Sequence, residues 1–132
     1  MNRIPALLAL VIVIVLGLAS RAYPWLFPAV FEKYPGDALW AMAVYLGLKI
    51  LAPRSAPLRL GVAALSLSFV VEWSQLYHVA WLDAMRSHFI GHLFLGSTFN
   101  VIDLFAYSVG IALIVSMDYL YIKCCRCQVR LD

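Results

Sequence analysis

The chain has 132 residues and a mass of 14.8 kDa, the size of one domain. Its 64% hydrophobic content and mean hydropathy of +0.89 are too apolar for an ordinary soluble protein. Only 13% of residues are charged, and the net charge of +3 arises without a basic, aromatic-interleaved stretch, so no nucleic-acid partner is expected.

The first apolar run, residues 4–19, follows Asn2 and Arg3 and has Pro5 at a tolerated first-turn position. Leu18, Ala19 and Ser20 fit a small-x-small cleavage site poorly, so the run reads as an uncleaved signal anchor. A loop rich in Pro and aromatics leads to Pro35, Gly36 and Asp37, two breakers before a residue suited to an N-cap. This predicts a second helix over residues 37–51, ended by Pro53. After a short basic turn, a third run covers residues 58–77 and a last one residues 101–122. Between these two, residues 84–95 are too short to cross a bilayer and apolar enough to enter its interface. The three cysteines, Cys124, Cys125 and Cys127, crowd after the last run, where they suit neither a secreted disulfide framework nor a structural zinc site. The predicted fold class is all-α: one polytopic membrane domain over residues 1–132, with four transmembrane helices and one short re-entrant or interfacial helix.

Orientation follows from the basic residues. Arg3, Lys49, Arg54, Arg59, Lys123, Arg126 and Arg130 fall on one side of this topology, and Arg21, Lys33 and Arg86 on the other. That asymmetry places both termini in the cytoplasm. Trp25, Trp40, Trp73 and Trp81 gather near the outer boundary, as rings do at headgroup level.

The same topology sets the depth of each ionisable side chain. Asp37 opens the second helix, Glu72 and Gln75 lie in the last outer turns of the third, and Asp103 opens the fourth. All three carboxylates are therefore expected in one leaflet, where the short helix adds Asp83, Arg86, His88 and His92. Nothing comparable is expected in the inner half. Ser68, Glu72 and Gln75 share one helical face, as do His88 and His92, and Asp103, Tyr107 and Gly110. A carboxylate turned toward lipid costs about 2.5–3.5 kcal/mol at the helix centre, so Glu72 is expected to face inward, with Arg86 and the histidines as partners. Each residue also has a plainer explanation. Asp37 suits an N-cap, Asn100 can cap the fourth helix, and the histidines can serve interfacial packing. The HxxxH spacing of His88 and His92 lacks the HExxH signature of a zinc site, and no metal or cofactor is expected.

Several segments carry a resemblance: Ser20-Arg21-Ala22-Tyr23-Pro24-Trp25-Leu26, Lys33-Tyr34-Pro35-Gly36-Asp37-Ala38-Leu39-Trp40, Glu72-Trp73-Ser74-Gln75-Leu76-Tyr77 and Gly91-His92-Leu93-Phe94-Leu95-Gly96. They resemble the short bacterial membrane proteins of the domain of unknown function 2809 family, over about residues 20–114. This resemblance implies a multi-pass protein of the bacterial inner (plasma) membrane and no settled activity. A weaker resemblance is to VanZ-like proteins, through Asp37, Glu72 with Gln75, and Asp103 with Gly110 in order. Tyr107 stands where that group has Asn, and Asn100 where it has an earlier Asp. The VanZ-like resemblance implies membrane chemistry on lipid headgroups.

Three functions compete at this point. The first is an outer-leaflet pocket that binds, and in its fuller form modifies, a lipid or lipid-linked headgroup. In it Glu72, Asp103, His88 and His92 do the chemistry, while Asp37, Gln75, Arg86 and Tyr107 bind. The second is a small transporter, which requires polar residues through the inner half. The third is a non-enzymatic accessory or assembly protein whose polar cluster pins the short helix to the bundle.

Overall fold

The computed structural model describes residues 3–23, 25, 34–88, 91 and 100–128. They form α1 (Arg3–Ala22), α2 (Tyr34–Leu51), α3 (Pro57–Ser74), α4 (Ala80–Ser87) and α5 (Val101–Gln128), with no strand among the described residues. The all-α class is as the sequence predicts. Two helices, Arg3–Ala22 and Val101–Cys125, are long and apolar enough to cross a membrane, against the four expected. α2 and α3 have 18 residues each, enough for about 27 Å, but their apolar character is diluted by Asp37 and Lys49 in α2 and by Arg59 and Glu72 in α3.

Local chemistry explains the boundaries. Pro57 occupies the first turn of α3, where its missing N–H costs nothing. Asn100 caps α5, accepting a hydrogen bond from the Ile102 N–H at 3.1 Å. α2 starts three residues earlier than predicted, so Asp37 lies inside its first turn rather than at the N-cap. A short helix covers Ala80–Ser87, starting four residues ahead of the segment predicted over residues 84–95, of which residues 89–90 lie outside the described residues. Residues 92–99, with His92 among them, lie outside the described residues.

α2 is the hub, packed on α1, α3 and α5, while α5 also packs on α3. Glycines set two of the spacings. A Cβ at Gly110 would fall 3.0 Å from the Ala38 carbonyl carbon, so only glycine lets α5 approach the α2 backbone this closely. A Cβ at Gly61 would fall 2.7 Å from Val115 Cγ2, which draws α3 onto α5 in the same way. The contacts make α1 antiparallel to α2, through Gly17 against Leu39, and α3 antiparallel to α5, through Gly61 against Val115 and Glu72 against Tyr107.

Burial then follows one stripe per helix. α2 turns inward Asp37, Ala41, Tyr45 and Lys49, at four-residue steps. α3 buries Leu60, Ala64, Ser68 and Glu72, and α5 buries Asp103, Tyr107, Ile111, Ile114 and Asp118. The middle of the stripe is apolar, and charge collects at its two ends. The outward surface is the reverse: Leu8, Val15, Leu58, Val70, Phe105 and Met117 are all more than half exposed. α1 is exposed along most of its length and buries only Ala6 and Ser20.

Candidate functional site

Glu72 is fully buried near the C-terminal end of α3, at the bundle end where α2 and α5 begin. Its Oε2 accepts hydrogen bonds from the Tyr107 hydroxyl at 2.8 Å and from Gln75 Nε2 at 3.3 Å. Its Oε1 accepts one from the backbone N–H of Asn100 at 2.8 Å. Within a single helix, an N3 Glu reaches back to the N-cap N–H to complete a capping box. Here Glu72 does so from another helix, tying the end of α3 to the start of α5. Arg86 and His88, the partners expected from the sequence, do not take part.

Tyr107 is the centre of this end. Its ring packs against Trp40 of α2, with centroids 5.8 Å apart. Glu72 bonds it directly, and Asp37 and Asp103 lie within electrostatic range, so carboxylates of α3, α2 and α5 share this end of the bundle. Asp37 and Asp103 are 5% and 2% exposed. Asp37 also pairs with Arg21 at the end of α1, at 3.4 Å. Gln75 is 6% exposed, and its Oε1 is a buried acceptor with no partner among the described residues. Leaving such an acceptor empty costs about 1–3 kcal/mol, so this end offers a place for a donor group.

Arg86 has a different task from the one its sequence position suggests. Its guanidinium donates to the carbonyl oxygens of Tyr77 (2.9 Å) and Ser74 (2.5 Å) and to Asp83 Oδ1 (3.2 Å). It therefore satisfies the Tyr77 carbonyl, adds a second bond to the Ser74 carbonyl, which already accepts from the Tyr77 N–H, and clamps the α3–α4 connection. His88 is exposed at the end of α4. Among the described residues no three His, Cys, Asp or Glu side chains group as a metal site.

The opposite end overturns the expectation of an empty inner half. Asp118 Oδ2 accepts a hydrogen bond from the Tyr45 hydroxyl at 2.7 Å and pairs with Lys49 Nζ at 3.0 Å. Lys49 also donates to the Ser55 carbonyl oxygen at 3.3 Å. All three side chains are at most 1% exposed. The signal was in the sequence: Tyr45 and Lys49 continue the four-residue steps begun by Asp37, and Asp118 continues the stripe of Asp103, Tyr107, Ile111 and Ile114. Between the two ends Ala41, Leu60, Ala64, Ile111 and Ile114, none more than 6% exposed, close the core.

No solved structure matches the chain. Its sequence matches a family model over residues 26–111, a span that takes in Asp37, Glu72, Gln75, Asp103 and Tyr107 and leaves out Arg21 and Asp118. The chain belongs to that family, described as Protein of unknown function (DUF2809).

Proposed function

We propose that this is a four-span protein of the bacterial inner membrane, with both termini cytoplasmic, whose outer polar end binds a lipid or lipid-linked headgroup. Four spans rest on the direction of the costly residues. Asp37, Lys49 and Glu72 are at most 5% exposed, the outward face of α3 carries Leu58, Val62 and Val70, and Arg59 is exposed in the first turn of α3, where a long cationic side chain reaches the interface. Glu72, Asp37 and Asp103 then lie at headgroup depth. The observation that carries headgroup binding is their gathering near Tyr107 beside Gln75 Oε1, which has no partner among the described residues: acceptors drawn from three helices suit the hydroxyl or ammonium donors of a headgroup. The proposal is of binding alone, because Glu72 has no exposed surface and both its oxygens are engaged.

The test is the lipid set that co-purifies with the protein in detergent. Gln75→Leu and Asp103→Asn should each deplete the bound headgroup, whereas a retained set in two well-folded variants would overturn the reading. Orientation is tested separately. Cys124 and Cys125 are exposed at the far end of α5, so a membrane-impermeant maleimide should label them in inverted vesicles and not in intact spheroplasts.

One observation favours a second reading, an accessory protein with a purely structural cluster: the saturation of Glu72 by Tyr107, Gln75 and Asn100. Under that reading Glu72→Gln lowers stability and leaves the bound lipids unchanged. A transporter is not favoured, because the apolar core separates the two polar ends.

A further inference from the structure

Between α1 and α2 runs a groove of about 340 Å3, open along one side and lined almost wholly by apolar groups such as Leu10, Val13, Leu39 and Val44. Arg21 closes one end. We propose that this groove seats one acyl chain of a phosphatidylethanolamine-type zwitterionic phospholipid, with the lipid phosphate on Arg21 and its ammonium turned toward the Asp37 side.

Length argues for a chain rather than a helix. On α1 the lining runs from Leu10 to Arg21, about 16 Å at 1.5 Å per residue, or half of a hydrocarbon core of about 30 Å. That matches one leaflet. A helix from a second copy would need a groove of full membrane depth, and at about 10 Å across it would lie on this slot rather than in it.

Charge order argues for the headgroup. Arg21 has a side chain 40% exposed, and among the described residues it donates only to Asp37, leaving further guanidinium N–H groups for phosphate oxygens. The buried carboxylate of Asp37 beside it, 3.4 Å away, favours a cation next to that phosphate. Glycine at position 36 favours the arrangement. A Cβ there would fall 3.3 Å from both Arg21 Nε and Ser20 Oγ, tighter than ordinary contact, so the guanidinium would have to give by a few tenths of an ångström.

The inference rests on the headgroup reading for its depth in the membrane, but it is tested at different residues. Trp40 lines the groove, and Trp25, Trp73 and Trp81 are exposed elsewhere, so a variant with those three as Phe reports on the groove through Trp40. This full chain is placed in nanodiscs of phosphatidylcholine containing a small fraction of lipid with brominated acyl chains. Brominated phosphatidylethanolamine should quench Trp40 at about a tenfold lower mole fraction than brominated phosphatidylglycerol or phosphatidylcholine. Arg21→Gln should abolish the preference and Arg21→Lys retain part of it, while Ala43→Leu, which fills the slot, should reduce quenching by every lipid. The polar site is judged by the lipids that co-purify with Gln75→Leu and Asp103→Asn, and the groove by Trp40 quenching in the parent, Arg21→Gln and Ala43→Leu, so failure of one is told apart from failure of the other. Equal quenching by the three lipids, a preference for phosphatidylglycerol, or a preference untouched by Arg21→Gln would each overturn the proposal.

Discussion

The buried pair at the far end of the bundle gives the sharpest prediction. Lys49 and Asp118 are each 1% exposed, 3.0 Å apart, and Asp118 also accepts from Tyr45. Removing one member of such a pair leaves an uncompensated charge and costs about 3–5 kcal/mol. Because Lys49 sits two residues from the end of α2, which the proposed topology puts close to headgroups and water, we expect the lower end, about 3 kcal/mol, for Lys49→Met or Asp118→Leu alone. The double variant removes both charges together and should lie within about 1 kcal/mol of the parent, since apolar replacement of a buried pair is often neutral. Tyr45→Phe should cost about 1.5–3 kcal/mol in the parent, where the hydroxyl meets a charged acceptor, and far less in the double variant. Reversible SDS unfolding of bicelle-reconstituted protein, followed by far-UV circular dichroism, measures all of these. Single changes below about 1 kcal/mol, or a double change equal to the sum of the singles, would refute a desolvated ion pair at this position.

Three further outcomes are expected. Tyr107→Phe removes a donor from Glu72 Oε2 and should destabilise the bundle by about 1.5–3 kcal/mol in the same assay, with the Tyr107→Phe/Glu72→Gln double variant costing less than the sum of the singles because the two share one bond. Gly110→Val should separate α5 from the Ala38 carbonyl and cost more than the ~1–3 kcal/mol of ordinary overpacking, whereas Gly47→Ala, which meets nothing within 4 Å, should stay within about 0.5 kcal/mol of the parent or improve on it. Arg86→Lys should fail to replace Arg86, because one ammonium cannot span the carbonyls of Ser74 and Tyr77 together. Limited proteolysis should then open the α3–α4 connection in that variant while the other loops keep their cleavage rates.

Much of the layout was legible in the sequence, and for a definite reason. Long apolar runs broken by Pro, Gly and charge mark helices because an unpaired backbone cannot lie in an apolar medium. The runs beginning near Ile4 and at Val101 accordingly became helices close to the expected bounds. Asn100 as the cap of the last helix was also readable, since a short polar side chain before an apolar run satisfies an open N–H. The short helix starts at Ala80, four residues ahead of the predicted start, because Val79 precedes it without the side-chain cap that would have marked its beginning in the sequence.

The candidate site divides in the same way. The sequence by itself determined which side chains are too costly to face lipid: Asp37, Glu72 and Asp103 turn inward, and periodicity sets the face on which each lies. Only the tertiary structure decided their partners. Glu72 went to Tyr107 and Asn100 rather than to Arg86, which was drawn instead to the carbonyls of Ser74 and Tyr77. Lys49 found Asp118 across 69 positions of sequence. Helical period fixes an angle around an axis, but the register between two helices is set by how closely their backbones approach, and here that distance is set where Gly110 meets Ala38 and Gly61 meets Val115.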